Sequence, residues 1–161
     1  MSGTLVVYFS RTGRTERIAL EIAAASGADI ERIEERRGRS GLLGYLRSGR
    51  EAYRKQLVEI EPPSKRPSDY DLVVLGTPVW AGNVCSPVRA YVAAFKGTFE
   101  RVALFCTEGG SGAPRVFGDL AELCGLSAIA TLVILEKEIK ANSYNDKLAQ
   151  FIESISRPNE T

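Results

Sequence analysis

Three short stretches carry the residues whose types and spacing suit binding chemistry. They read Ser10-Arg11-Thr12-Gly13-Arg14-Thr15, Thr77-Pro78-Val79-Trp80-Ala81-Gly82-Asn83 and Thr107-Glu108-Gly109-Gly110-Ser111-Gly112. The first lies between an apolar run and a helical stripe, so it opens onto a helix N-terminus. Unpaired backbone N–H groups and about half a positive charge from the helix dipole favour a phosphate there. Gly13 lets the backbone come close, and the hydroxyls of Ser10, Thr12 and Thr15 can donate to phosphate oxygens. Hydrogen bonds to a charged group contribute roughly 1.5–3 kcal/mol each, so a few of them could hold a phosphate without lysine. The G-x-x-x-x-G-K spacing and lysine of a nucleoside-triphosphate P-loop are missing. The same hydroxyls would equally serve as an ordinary helix cap. In the second stretch Trp80 stands among small and polar residues. Its indole either offers a flat face to a ring system or tucks beneath its own loop. The third stretch supplies consecutive backbone N–H and C=O groups around Gly109, Gly110 and Gly112, suited to the polar edge of a heterocycle.

For these stretches to act together, the elements between them must bring them to one place. Apolar runs at 4–9, 72–75, 102–106 and 128–135 are short and barely alternate. Strands buried on both faces of a parallel sheet read this way. A weaker run at 29–34, with Ile30 and Ile33 among charges, reads as an edge strand. Helical stripes separate the runs: Ile18, Ala19, Ile22 and Ala23, closed by Gly27; Val88, Tyr91, Val92 and Phe95; Val116, Phe117, Leu120, Leu123 and Cys124, entered at Pro114 and closed by Gly125. A last stripe, Leu148, Phe151, Ile152 and Ile155, has Asn142 or Ser143 as its expected N-cap. Glycines at 38, 41, 44 and 49 and a proline-rich end mark 36–67 as a connection, within which a short helix over 42–57 is expected. Alternating strands and helices imply one doubly wound α/β domain over 1–161. In such a sheet every strand's carboxyl end points to one edge, and ligands bind there where strand order reverses. The three stretches leave the ends of three strands, so they should converge.

With that much in place, the chain resembles the flavodoxin family over nearly its whole length. Ser-x-Thr-Gly-x-Thr at 10–15 is similar to the family's phosphate loop, and Gly76-Thr77-Pro78-Val79-Trp80-Ala81-Gly82 to its tryptophan loop. The resemblance implies a flavodoxin-like three-layer sandwich with five parallel strands in the order 2-1-3-4-5, binding flavin mononucleotide (FMN) without a covalent link. On that resemblance Ser10, Arg11, Thr12, Gly13, Arg14 and Thr15 would hold the phosphate. Thr77, Pro78 and Trp80 would line the inner face of the isoalloxazine, with Val79 and Ala81 among the cofactor-binding residues of the same stretch, and Gly82 would be the flexible peptide beside its N5. Thr107, Glu108, Gly109, Gly110 and Gly112 would bind the pyrimidine edge. The redox chemistry would belong to the flavin, and the protein would supply orientation and electrostatics. Two departures stand out: no tyrosine in 107–112 covers the outer flavin face, and the chain lacks the acidity typical of flavodoxins.

Composition narrows the alternatives. Of 161 residues, 44% are hydrophobic and 25% charged, with a formal net charge of +1 and no histidine. Missing histidine excludes Ser-His and Cys-His nucleophiles and histidine metal sites. Cys85, Cys106 and Cys124 match no zinc or redox spacing and are expected to be buried and reduced, in a cytoplasmic protein. No apolar run reaches the ~18 residues of a membrane span. From Arg36 to Lys55 seven basic residues face one acidic residue, a local excess of +6 against −5 elsewhere. This is either a solvated face or a patch for an anionic partner such as a nicotinamide dinucleotide phosphate or an acidic redox protein. Without interleaved aromatics or a DNA-binding motif, nucleic acid is not expected. A phosphoacceptor domain of similar fold would need acidic residues where Ser10 and Thr77 stand. The expected function is electron transfer to a redox partner protein or small-molecule acceptor. The alternative is an NAD(P)H-dependent, FMN-containing quinone or flavin oxidoreductase. A third reading is an interaction protein that keeps the fold and docks through its basic segment.

Overall fold

A computed structural model describes residues 3–36 and 58–158. The helix expected over 42–57, and every basic residue of 36–55 except Arg36, lie outside the described residues. Five strands form one parallel sheet: β1 (Thr4–Tyr8), β2 (Asp29–Arg32), β3 (Leu72–Trp80), β5 (Val102–Glu108) and β6 (Thr131–Leu135). Their spatial order is β2-β1-β3-β5-β6, with the two-residue β4 (Asn83–Val84) pairing antiparallel to the end of β3. Counting only the parallel strands, this is the order 2-1-3-4-5. The order reverses at β1, which lies between β2 and β3, so the crevice at its carboxyl end is the natural ligand site.

The apolar runs fold as strands because both their faces are covered. Leu5, Val7, Val73, Leu75, Val102 and Leu104 enter one core with α2 (Ser86–Ala94) and α3 (Ala113–Cys124). Val6, Leu72, Val74, Ala103 and Phe105 enter the other with α1 (Arg14–Ser26) and α5 (Asn145–Ser156). Gly76, in the central strand, clears the way for Phe105: a Cβ there would overlap its ring.

The structure moves several expected boundaries. β3 runs on past Leu75 to Trp80, so much of the second stretch is strand rather than loop. Thr107 and Glu108 likewise belong to β5. The last strand begins at Thr131, after an approach in which Ile129 N–H donates to the Val102 carbonyl at 2.9 Å. An unforeseen short helix, α4 (Glu136–Ala141), follows it, and Asn142 closes that helix at φ 53° instead of opening the next. The N-cap of α5 is Tyr144. Arg36, the described end of the basic segment, is paired with Glu59 at 3.2 Å and Glu61 at 3.8 Å.

Candidate functional site

The three stretches meet at the carboxyl edge of the sheet. In the first, the Gly13 N–H donates to Ser10 Oγ at 3.1 Å, folding the turn so that Gly13 becomes the N-cap of α1 at φ 91°. No side chain caps that helix, so its first-turn N–H groups beyond Gly13 keep their donors for a ligand. Thr12 and Gly13 are exposed beside them, while Ser10 and Thr15 are buried. Thr15 Oγ1 meets Thr107 Oγ1 at 2.8 Å, which fastens the first stretch to the third.

Charge around this turn is already organised. Arg14 Nη1 reaches Glu136 Oε1, on the first residue of α4, at 2.8 Å. Glu16, in the first turn of α1, accepts from the Tyr8 hydroxyl at 2.8 Å and from Arg32 at 2.6 Å. Its charge is thereby drawn toward β2, away from the turn. Burial, followed by that hydrogen bond, pushes the Tyr8 hydroxyl up to about 12, so Tyr8 remains a neutral donor.

The second stretch is a hairpin. Ala81 (φ 50°) and Gly82 (φ 74°) form its tip, and the Asn83 side-chain amide donates to the Ala81 carbonyl at 2.9 Å. Two successive positive φ values suit the twist of a tight hairpin, at a strain of roughly 1–2 kcal/mol for the alanine. Ala81 is exposed, and Pro78, Val79 and Gly82 are half-buried. Thr77 is fully buried: its hydroxyl donates to the Pro78 carbonyl at 2.7 Å and accepts from the Cys85 N–H at 3.3 Å. Trp80 is only 9% exposed and stands edge-on to Phe9, with ring centroids 5.5 Å apart and planes at 89°. These two residues therefore lie in the floor beneath the edge. Pro78, Val79, Ala81 and Gly82 present its surface.

The third stretch closes against the second. A Cβ on Gly112 (φ 120°) would lie 3.0 Å from a Val79 methyl and 3.1 Å from Gly82 Cα, so only glycine permits this approach. Gly109, Gly110 and Ser111 are exposed. Glu108 is buried, and its Oε2 has no hydrogen-bond partner. Burial, followed by the Glu108 charge, pushes the nearby Cys106 thiol up to about 12. The arrangement thus offers free backbone donors at a helix N-terminus, a glycine-lined rim and one buried acceptor awaiting a donor. That donor set fits a ligand with an anionic group at one end and a flat ring bearing N–H at the other. Sequence reasoning missed Glu136, whose place at the rim depends on α4, and gave Asn83 a place in the second stretch but no role in its turn. The Ala-Gly pair between two apolar stretches was the available signal for the hairpin.

Comparison with known proteins decides the family. The family model described as flavodoxin matches residues 3–155. The chain belongs to the flavodoxin family. Its members are FMN-binding flavoproteins of electron transfer and flavin-dependent oxidoreduction. No curated protein sequence matches the chain. Among solved structures, a flavoprotein from Bacteroides uniformis is 21% identical, covering 94% of this chain and 98% of that one, with a TM-score of 0.75. A flavoprotein from Lactobacillus acidophilus, solved in complex with FMN, is 21% identical over 88% of this chain and 98% of its own, with a TM-score of 0.68. An oxidised flavodoxin from Bacillus cereus is 14% identical over 99% and 100%, with a TM-score of 0.57. At these identities the likeness is one of fold.

Among the described residues no helix is long and apolar enough to cross a membrane. No group of His, Cys, Asp and Glu there is placed to hold a metal ion. Cys85, Cys106 and Cys124 are buried and none of them forms a disulfide.

Proposed function

We propose that this flavodoxin-family chain binds FMN at the carboxyl edge of its sheet, without a covalent link, and passes electrons between redox partners in the cytoplasm. One observation carries the reading: the uncapped N-terminus of α1, with Thr12 and Gly13 exposed beside it, is tied by the Thr15–Thr107 hydrogen bond to the loop that would hold the ring. The backbone of 10–15 binds the phosphate, with the helix dipole and the Thr12 hydroxyl adding to it. Pro78, Val79, Ala81 and Gly82 offer the surface for the inner face of the ring, over a floor stiffened by Trp80 against Phe9. Thr107, Glu108, Gly109, Gly110 and Gly112 hold its polar edge. Bound FMN supplies the electron or hydride chemistry, and the protein sets its position and surrounding charge. Titration of apoprotein with FMN should show one flavin bound per chain, with a change in flavin fluorescence. Absence of binding would overturn the proposal.

A second reading has its own support. Gly109, Gly110 and Ser111 are exposed, and no aromatic in 107–112 covers the outer face of a ring seated there. An NAD(P)H-dependent quinone or flavin oxidoreductase could stack its substrate on that face. Steady NAD(P)H oxidation with a quinone and no partner protein would establish the enzyme. Oxidation that proceeds only when a partner protein is supplied would establish the carrier.

A further inference from the structure

Arg14 and Glu136 form an ion pair that neither the sheet nor its two cores requires. Arg14 is the first residue of α1 and Glu136 the first of α4, and Nη1 of one lies 2.8 Å from Oε1 of the other. Their side chains are 37% and 39% exposed, so the contact is made in water. An ion pair so exposed contributes little to the stability of a fold. α4 is also held to α1 without it, since Arg17 Nη2 donates to Asn142 Oδ1 at 2.8 Å. What distinguishes the pair is its place. Arg14 belongs to the turn of 10–15, beside the exposed Thr12 and Gly13. The Glu136 carboxylate also reaches the third stretch, because a Cβ on Gly109 would lie 3.9 Å from its Cδ. The link thus crosses the rim of the site from the first stretch to the third. Glu16, the acidic residue of the first turn of α1, is turned away toward Tyr8 and Arg32. Glu136 is the carboxylate that meets Arg14.

We propose that Glu136 competes with the phosphate of the ligand for Arg14, and so sets how tightly and how selectively the phosphate end is held. The proposal rests on the FMN reading above, which uses the backbone donors and the Thr12 hydroxyl of the turn and gives the Arg14 guanidinium no part. A guanidinium presents five N–H donors in a planar fork that suits a carboxylate and a phosphate alike. A phosphate monoester carries about 1.5 to 2 negative charges at pH 7, so it is the stronger anion. Glu136 has the advantage of being tethered a few ångströms away. Whatever share of Arg14 it keeps is withheld from the phosphate. Glu136 is therefore a specificity-determining residue that touches the ligand's binding only through Arg14. It makes the flavin easier to exchange without altering the surface that carries the ring.

The test titrates apoprotein with FMN and with riboflavin, which lacks the phosphate, at low and at raised salt. The proteins are wild type, Glu136→Gln, Arg14→Gln and the double variant. Glu136→Gln should bind FMN about two- to fivefold more tightly than wild type at low salt, the scale of an exposed ion pair. Salt should erode that gain, and the affinity for riboflavin should stay as in wild type. Arg14→Gln should bind FMN more weakly. Adding Glu136→Gln to it should recover little, since the carboxylate then has no guanidinium to withhold. An FMN affinity unchanged or lowered in Glu136→Gln would overturn the proposal, as would an equal gain for riboflavin. So would the same gain with and without Arg14, because Glu136 would then act by its own charge alone. In each of these cases FMN binding by wild type stands. A wild type that binds neither flavin would overturn the cofactor reading, and this proposal with it.

Discussion

At the scale of single residues, the contact between Thr15 and Thr107 joins the helix that would hold a phosphate to the strand that would present the ring edge. Both side chains are buried, so each hydroxyl depends on the other. Thr15→Val keeps the shape of the side chain and strands the Thr107 hydroxyl. An unsatisfied buried group costs about 1–3 kcal/mol. For a domain of this size that corresponds to a fall in Tm of roughly 2–4 °C per kcal/mol. Thermal denaturation of the apoprotein should show the loss, and Thr15→Val with Thr107→Val should recover part of it, because no hydroxyl is then stranded. A double variant as unstable as the sum of the singles would mean that the hydroxyls act independently. Residue types made the first stretch legible in the sequence, since Ser, Thr and Gly before a helical stripe have a local meaning. Trp80 and Thr77 were legible as residues at the right edge, but their depth was not. Depth follows from β3 continuing to Trp80 and from Phe9 standing across from the indole, and both are tertiary facts.

At the scale of elements, the strands were readable because burial on both faces leaves continuous apolar runs. The strand order depended on the resemblance, since periodicity alone does not rank neighbours. What escaped was short. β4 has two residues and α4 six, too few for a period to show. α4 exists because of its cap: Glu138 accepts the Leu135 N–H at 2.8 Å and pairs with Lys147 at 2.7 Å. The backbone N–H first, and then Lys147, holds the Glu138 carboxyl below its ordinary value of 4.5. A lowered native pKa stabilises the fold above the unfolded value, and that stability disappears as pH falls through the native one. Glu138→Gln should therefore be less stable than wild type at pH 7. The difference should start to shrink as pH falls past 4.5 and vanish below the lowered native value. Chemical denaturation at a series of pH values measures it, and a gap that persists into acid would mean that the cap's contribution does not depend on charge. Because α4 also carries Glu136 to Arg14, its loosening should reach the rim of the site.

At the scale of the whole molecule, stability and binding are divided between two regions. Two cores on either side of the sheet hold the strands, while the rim of the carboxyl edge exposes Thr12, Gly13, Ala81, Gly109, Gly110 and Ser111, small residues that bury little apolar surface among themselves. A ligand that bridges the loops should therefore add stability that the apoprotein lacks. Linkage sets the size: ligand at 100 times its Kd contributes about 2.7 kcal/mol, or roughly 5–11 °C in Tm for a domain of this size. The phosphate loop makes this prediction specific. Riboflavin has the same ring without the phosphate, so it forgoes the donors of α1 and residues 10–15. Two hydrogen bonds to a charged group, at roughly 1.5–3 kcal/mol each, amount to a loss of at least about a hundredfold in affinity. At one matched concentration FMN should raise the Tm by several degrees and riboflavin by little or nothing. Equal shifts would mean that the ring alone is bound and that the loop of Ser10 to Thr15 only caps its helix. A shift from FMN alone would mean that the phosphate, held by residues 10–15 and the N-terminus of α1, carries much of the binding.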